Sequence, residues 1–297
     1  MFSLIWHYLY SSFLRSWVKW MLRKITGRCE LQRICANTIQ GAERTMQIEY
    51  SLESSRSEIL KGSVTISEEN VGNRADEIMK IKKISTQKDP KFKLSLQICL
   101  LQVTGYKKLF VDVENLRKQP FDSSKKQHED MLIKLWELLM PHIPLESRIT
   151  KQWGDIGFQG EDPKTDFRGM GMLGLQNLIF FGEHYPETAR QTLSQSNHPK
   201  MGYSYAIVGI NLTEMAYSML KTGILKTHLY NVVSGAPQMH HFHEFYCYLM
   251  YEFNRFWFKE KPASIMEFNY YREQFHKRVK ELLLDHNSVL ILKAEKQ

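Results

Sequence analysis

Apolar residues recur at three- and four-residue intervals along the long segments of this chain, a period that suits helices and not strands. The stretches LGLQNLIFFGEHY (173–185), YAIVGINLTEMAYSMLKTG (205–223), MHHFHEFYCYLMYEFNRFWFKE (239–260) and SIMEFNYYREQFHKRVKELLL (264–284) all keep that register. No hairpin dipeptide separates alternating strands, so an all-α fold is expected. Upstream, Gly41 to Leu101 reads as helices with polar spacers, and Leu94–Lys118 predicts one long helix softened at Gly105. Met131, Leu132, Leu135, Leu138 and Leu139 form a further helical stripe that Pro141 and Pro144 end. Between these two helices, QPFDSSKKQ (119–127) gathers Pro, Asp and Ser and is the best internal boundary.

At 297 residues the chain is long enough for a substantial core. Its four cysteines (Cys29, Cys35, Cys99, Cys247) have no paired spacing, which argues against a disulfide framework or zinc site and fits a reducing cytosolic compartment. A formal net charge of +8 favours acidic partners, but no nucleic-acid motif is present and none is expected to bind. The opening run MFSLIWHYLYSSFL stops at Arg15, short of the roughly 20 apolar residues of a membrane span, and lacks the features of a secretory signal. In the continuation RSWVKWMLRK, Arg15, Lys19 and Arg23 form one stripe, with Trp17, Trp20, Met21 and Leu22 off it. Residues 1–24 therefore suit an amphipathic helix of two alternative placements. One lies on an anionic membrane surface with its cations toward lipid; the other packs on the protein's own core.

The segment WGDIGFQGEDPKTDFRGMG (153–171) concentrates the chemistry. Gly157, Gly160, Gly169 and Gly171 permit a tightly shaped loop, Pro163 stiffens it, and Thr165 or Asp166 can cap the helix that follows. At its end stands one arginine, Arg168, within reach of Asp162 and Asp166 for bidentate bonding. Two readings follow: a guanidinium that staples the loop, which spacing alone favours, or one projected onto a partner. Gly169, Gly171 and Gly174 match GxGxxG, but no strand precedes them, so a dinucleotide is not expected. His240, His241 and His243 flank an aromatic helical face and lack evident further ligands, so no metal is expected. Asn211 begins a formal glycosylation triplet inside a helical pattern, which discounts it.

The run from Trp153 through Gly157, Phe158, Gln159, Gly160, Asp162, Pro163, Thr165, Asp166, Phe167, Arg168 and Gly169 to Gly171 resembles the motif of the ELMO-domain family, specifically its small ELMO domain-containing members. SNHPKMGYSYAIVGINLTEMAY (196–217) and LRKITGRCELQRIC (22–35) are similar too, so the likeness covers nearly the whole chain. It implies a multi-helix ELMO domain at residues 127–287, an N-terminal helical region at 25–126 packed on it or tethered to it, and a C-terminal tail at 288–297. It further implies a GTPase-activating protein for Arf and Arf-like small GTPases, in which Arg168 is the catalytic arginine finger. The eleven other motif residues and Trp153 would orient the loop or meet the partner. Mg²⁺ and GTP would be held by the GTPase, with no cofactor in this chain. The resemblance also implies a cytosolic protein peripheral on intracellular membranes (mitochondria, endoplasmic reticulum or lipid droplets) and a link to antiviral defence. The alternative is a non-catalytic helical adaptor for a small GTPase or an exchange-factor complex.

Overall fold

Apolar periodicity becomes helix throughout the computed structural model, which describes residues 14–87 and 89–292. No strand occurs among them. The expectations for residues 1–13 and 293–297 lie outside the described residues. Two compact units emerge. One comprises the chain up to Lys107 together with Tyr230–Pro237, the other Lys108–Leu229 and the chain from Gln238 on.

The first unit holds α1 (Arg15–Thr26), α2 (Glu30–Asn37), α3 (Ala42–Glu53), α4 (Glu58–Gly62), α5 (Val71–Lys82) and the first part of α6 (Phe92–Lys118). Leu31, Ile48, Leu52, Ile78, Leu96, Leu100 and Val103 form its buried core. The softening expected at Gly105 does not occur, and α6 is one helix of 27 residues. Tyr230–Pro237 belongs to this unit because Gln102 Nε2, buried on α6, donates to the carbonyls of Tyr230 and Val233. Lys19 Nζ pairs with Glu30 at 2.5 Å and Arg23 Nη2 donates to the Lys82 carbonyl at 2.9 Å, so both turn toward the protein. Trp17 and Trp20 instead stand out, 56% and 58% exposed.

The second unit contains α7 (Lys126–Leu139), α8 (Gly171–His184), α9 (Pro186–Ser196) and α10 (Tyr205–Thr222). After α11 (Lys226–Val232), α12 (Met239–Glu260) and α13 (Phe268–Leu282) complete it. Helix α8 is apolar nearly all round, with Leu173, Leu175, Leu178 and Phe181 buried, and packs between α7, α10 and α12. A buried polar chain ties three of these helices together. Asn177 Nδ2 donates to Thr213 Oγ1 at 3.0 Å, and His243 Nδ1 lies 2.6 Å from Asn177 Oδ1. Burial lowers the His243 pKa to about 4, with His184 and His240 adding to the effect, so the ring is neutral and donates to that oxygen. His241 accepts the Gln238 amide at the start of α12, so neither of these histidines is spare. Among the described residues, no cluster of histidine, cysteine or acidic side chains has metal-binding geometry.

The polar segment 119–127 lies inside the second unit rather than between the two. Asp122 N donates to His128 Nδ1 at 3.0 Å, and Phe121 stacks on Phe167 at 5.7 Å. The segment is thus tied to α7 by its backbone and to the motif loop by its one aromatic.

Candidate functional site

The motif loop begins at Thr150, whose hydroxyl accepts the Gln152 amide and caps a 3₁₀ turn over Lys151–Ile156. Its own amide donates to the Glu161 carbonyl at 3.0 Å, which closes the loop at its base. Behind the loop runs a chain of aromatic edges. Trp153, fully buried, meets Trp136 at 5.6 Å and Phe158 at 5.9 Å, and Phe158 meets Phe167 at 5.5 Å. Each such contact is worth about 0.5–1.5 kcal/mol beyond the area it buries. Trp153 Nε1 also donates to the Arg148 carbonyl at 3.0 Å.

At two of the four glycines the protein's own backbone comes too close for a Cβ. Gly157 has φ 84°, and a Cβ there would lie 2.2 Å from the Tyr205 amide nitrogen. Gly171 has φ 50°, and a Cβ there would lie 2.3 Å from the Gln119 carbonyl oxygen. That carbonyl accepts the Met172 amide at 2.9 Å, which fixes the first turn of α8. Gly160 and Gly169, by contrast, have no neighbour a Cβ would meet, though Gly160 also needs glycine for its φ of 75°.

The acidic residues do other work than expected. Asp162 does not bind Arg168. It caps the short turn Pro163–Thr165 by accepting the Lys164 amide at 3.1 Å, and it pairs with Arg148 Nη2 at 3.0 Å and with Lys164 Nζ at 3.3 Å. Burial opposes ionisation of Asp162, but the Lys164 amide and Arg148 outweigh it and hold the carboxyl below its ordinary range. Asp166 accepts the Gln159 amide at 2.8 Å. Burial pushes its carboxyl up, partly offset by that amide and by the charge of Arg168. Neither Thr165 nor Asp166 caps α8, because Met170 occupies the cap position and the Pro163–Thr165 turn intervenes.

The guanidinium that staples the loop is Arg148. It binds Glu129 on α7 with two nitrogens, reaches Asp162 and lies 5.9 Å over the Phe121 ring. Arg117 holds the other end: Glu114 grips it at 2.7 and 3.0 Å, it lies 5.0 Å over Tyr217, and its Nη1 donates to the Gly169 carbonyl at 3.4 Å. Between these clasps Arg168 is exposed, with no hydrogen bond or ion pair to any described residue. A groove of about 550 Å³ opens beside Gly169 and Met170, rimmed by Arg117, Glu214, Tyr217 and Lys221. An anchored loop carrying an uncommitted, permanently charged planar cation can stabilise negative charge on a molecule that docks against it.

Residues 111–272, which contain this loop, the end of α6 and the whole of α7 to α12, match the model of the ELMO/CED-12 family. The chain belongs to the ELMO/CED-12 family. ELMO domain-containing protein 2 of Homo sapiens is 58% identical over 294 residues, covering 99% of this chain and 100% of the relative. ELMO domain-containing protein 1 of Mus musculus is 52% identical over 289 residues, covering 92% and 89%. ELMO domain-containing protein B of Dictyostelium discoideum is 35% identical over 267 residues, covering 89% and 93%. No solved structure matches the chain.

Within this ELMO domain, all thirteen motif residues expected to act together fall on one loop and its exit, but they divide by role. Trp153, Phe158, Pro163 and Phe167 are buried and anchor it. Gly157, Asp162, Asp166 and Gly171 shape its backbone, while Gln159, Gly160, Thr165, Arg168 and Gly169 are exposed. Sequence reading missed Arg148 and Arg117. Arg148 lies among Pro, Ser and Thr with no periodic signal, and Arg117 looks like any cation in the last turn of a helix. Asn211 is held at both ends of its amide, to the Ile207 carbonyl at 2.8 Å and from Arg272 at 3.0 Å, within α10.

Proposed function

We infer that this chain is a GTPase-activating protein for Arf and Arf-like small GTPases and that Arg168 is its arginine finger. The observation that carries the reading is a pairing of opposites: Arg168 is exposed and uncommitted, on a loop whose backbone is fixed on both sides of it. Phosphoryl transfer to water asks chiefly for positioning and for cations near the oxygens that gain charge. The GTPase holds the nucleotide, its Mg²⁺ and the attacking water, and Arg168 enters in trans. Fixing the backbone beforehand means that docking has only the side chain left to order. The alternative is a non-catalytic adaptor with Arg168 only a loop staple; that Arg148 holds the loop supports the finger reading over it. The protein is then cytosolic and peripheral on intracellular membranes, where its GTPase partners carry GTP.

The test is single-turnover hydrolysis by purified, GTP-loaded Arf, Arf-like and Rho-type GTPases with and without the full chain. Stimulation of an Arf-family member by substoichiometric protein is expected. Stimulation that survives unchanged in Arg168→Ala removes the finger, and absence of stimulation across the panel leaves the adaptor reading.

A further inference from the structure

The first unit carries a cavity of about 270 Å³ bounded by α1, the start of α2 and the ends of α3 and α5. Its lining holds Lys19, Arg23 and Lys82 against a single carboxylate, Glu30, so three positive charges and one negative leave an excess of two. Glu30 is already engaged: it takes Lys19 Nζ at 2.5 Å and the Ser51 hydroxyl at 2.5 Å. Arg23 spends one nitrogen on the Lys82 carbonyl at 2.9 Å, and its other donors make no hydrogen bond to a described residue. Cations gathered around a recess lined on its other side by buried leucines attract an anion more strongly than the same cations spread in water.

The wall of this cavity is also the edge of an aromatic and aliphatic face, on which Lys24 Nζ lies 6.0 Å over the Trp20 ring. Trp20 lines the recess and is 58% exposed, beside Trp17 at 56%, Leu14 at 42% and Ile25 at 72% on the same helix. Tryptophan rings of this kind sit at headgroup depth in a bilayer, which would bring the recess level with lipid phosphates. A phosphomonoester carries about −1.5 to −2 at pH 7, which matches the excess charge, whereas a phosphodiester carries about one charge and does not.

We propose that this cavity binds the phosphomonoester headgroup of a membrane lipid while Trp17 and Trp20 lie in the bilayer interface. The cations that turn away from the exposed face of α1 are then the headgroup's ligands rather than spare charge. This site is independent of Arg168 and of the reading built on it.

Flotation of the full chain with phosphatidylcholine vesicles, alone or containing phosphatidic acid or phosphatidylserine at matched surface charge, tests the assignment. Binding is expected to be strongest on phosphatidic acid. Arg23→Glu should weaken it on the order of tenfold or more, while Lys277→Glu, the same charge change on α13, should leave it unchanged. If Arg23→Glu lowers the melting temperature, Lys82→Glu makes the reversal from α5. Trp17→Ala should weaken flotation on all three vesicles alike. Equal flotation on the two anionic vesicles, equal losses in Arg23→Glu and Lys277→Glu, or undiminished flotation on phosphatidylcholine alone overturns the proposal. So does complete release by inorganic phosphate at the headgroup concentration, which would assign the cavity to the free ion.

Discussion

Arg148 and Arg168 stand at opposite ends of one loop and are chemically the same side chain, yet the fold treats them oppositely. Arg148 is half-buried, shared between Glu129 and Asp162 and laid over an aromatic ring. Arg168 is exposed and makes no hydrogen bond or ion pair to a described residue, its charge felt by Asp166. A cation committed to two carboxylates has little left to offer a partner, and an uncommitted one contributes little to stability. The comparison teaches that the loop separates anchoring from presentation, so the two functions should fail separately.

The largest expected effect is at the tip. Arg168→Ala should lower stimulated GTP hydrolysis by about 10³–10⁵ with the thermal midpoint unchanged. Arg168→Lys should recover little, because an ammonium lacks the planar fork. A fall in melting temperature in either variant would erase the distinction between the two arginines. Next comes the hinge of the loop: Gly171→Ala must place a Cβ 2.3 Å from the Gln119 carbonyl at positive φ. A loss of about 2–5 kcal/mol in chemical denaturation is expected.

Acid should weaken the helical body and not the loop's cations. Burial holds His243 and His228 at about 4, against about 6.5 in an unfolded chain. The unfolded state then binds more protons between those values, so stability is whole above about pH 6.5 and falls toward pH 4, by up to about 3 kcal/mol per ring. His243→Gln should flatten that slope in pH-dependent denaturation, and an unaltered slope would remove His243 as its source. The smallest effect should come from Arg148→Met, which frees Glu129 and Asp162. It should cost about 1.5–3 kcal/mol of stability, and activity should fall only as far as the tip loosens. If Arg148→Met abolishes stimulation while the fold stays intact, anchoring and presentation are not separate.

Much of this was readable in advance because it is local. The helices around 173–185, 205–223 and 239–260 came from apolar spacing, and their observed ends fall within a few residues of that pattern. The helix Pro186–Ser196 was not anticipated, since its polar sequence PETARQTLSQS buries only Ala189, Thr192, Leu193 and Ser196. The loop was legible as a loop, and Arg168 as its notable cation. Illegible were the partners of the charges: Asp162 takes Arg148 rather than Arg168, Lys19 takes Glu30, and Arg23 takes the Lys82 carbonyl. Those choices join residues far apart in the chain, and no spacing rule reaches across such gaps.

Amino-acid order alone determined that the chain is helical, which faces are apolar, and where backbone freedom and a guanidinium coincide, since each depends on residues within a turn or two of one another. Tertiary packing decided which arginine is tied down and which is presented, because a guanidinium's role is set by the carboxylates and rings that folding brings within about 3–6 Å of it. It also decided that Gly157 and Gly171 serve close approach to the protein's own backbone, which only the docked α10 and α6 supply.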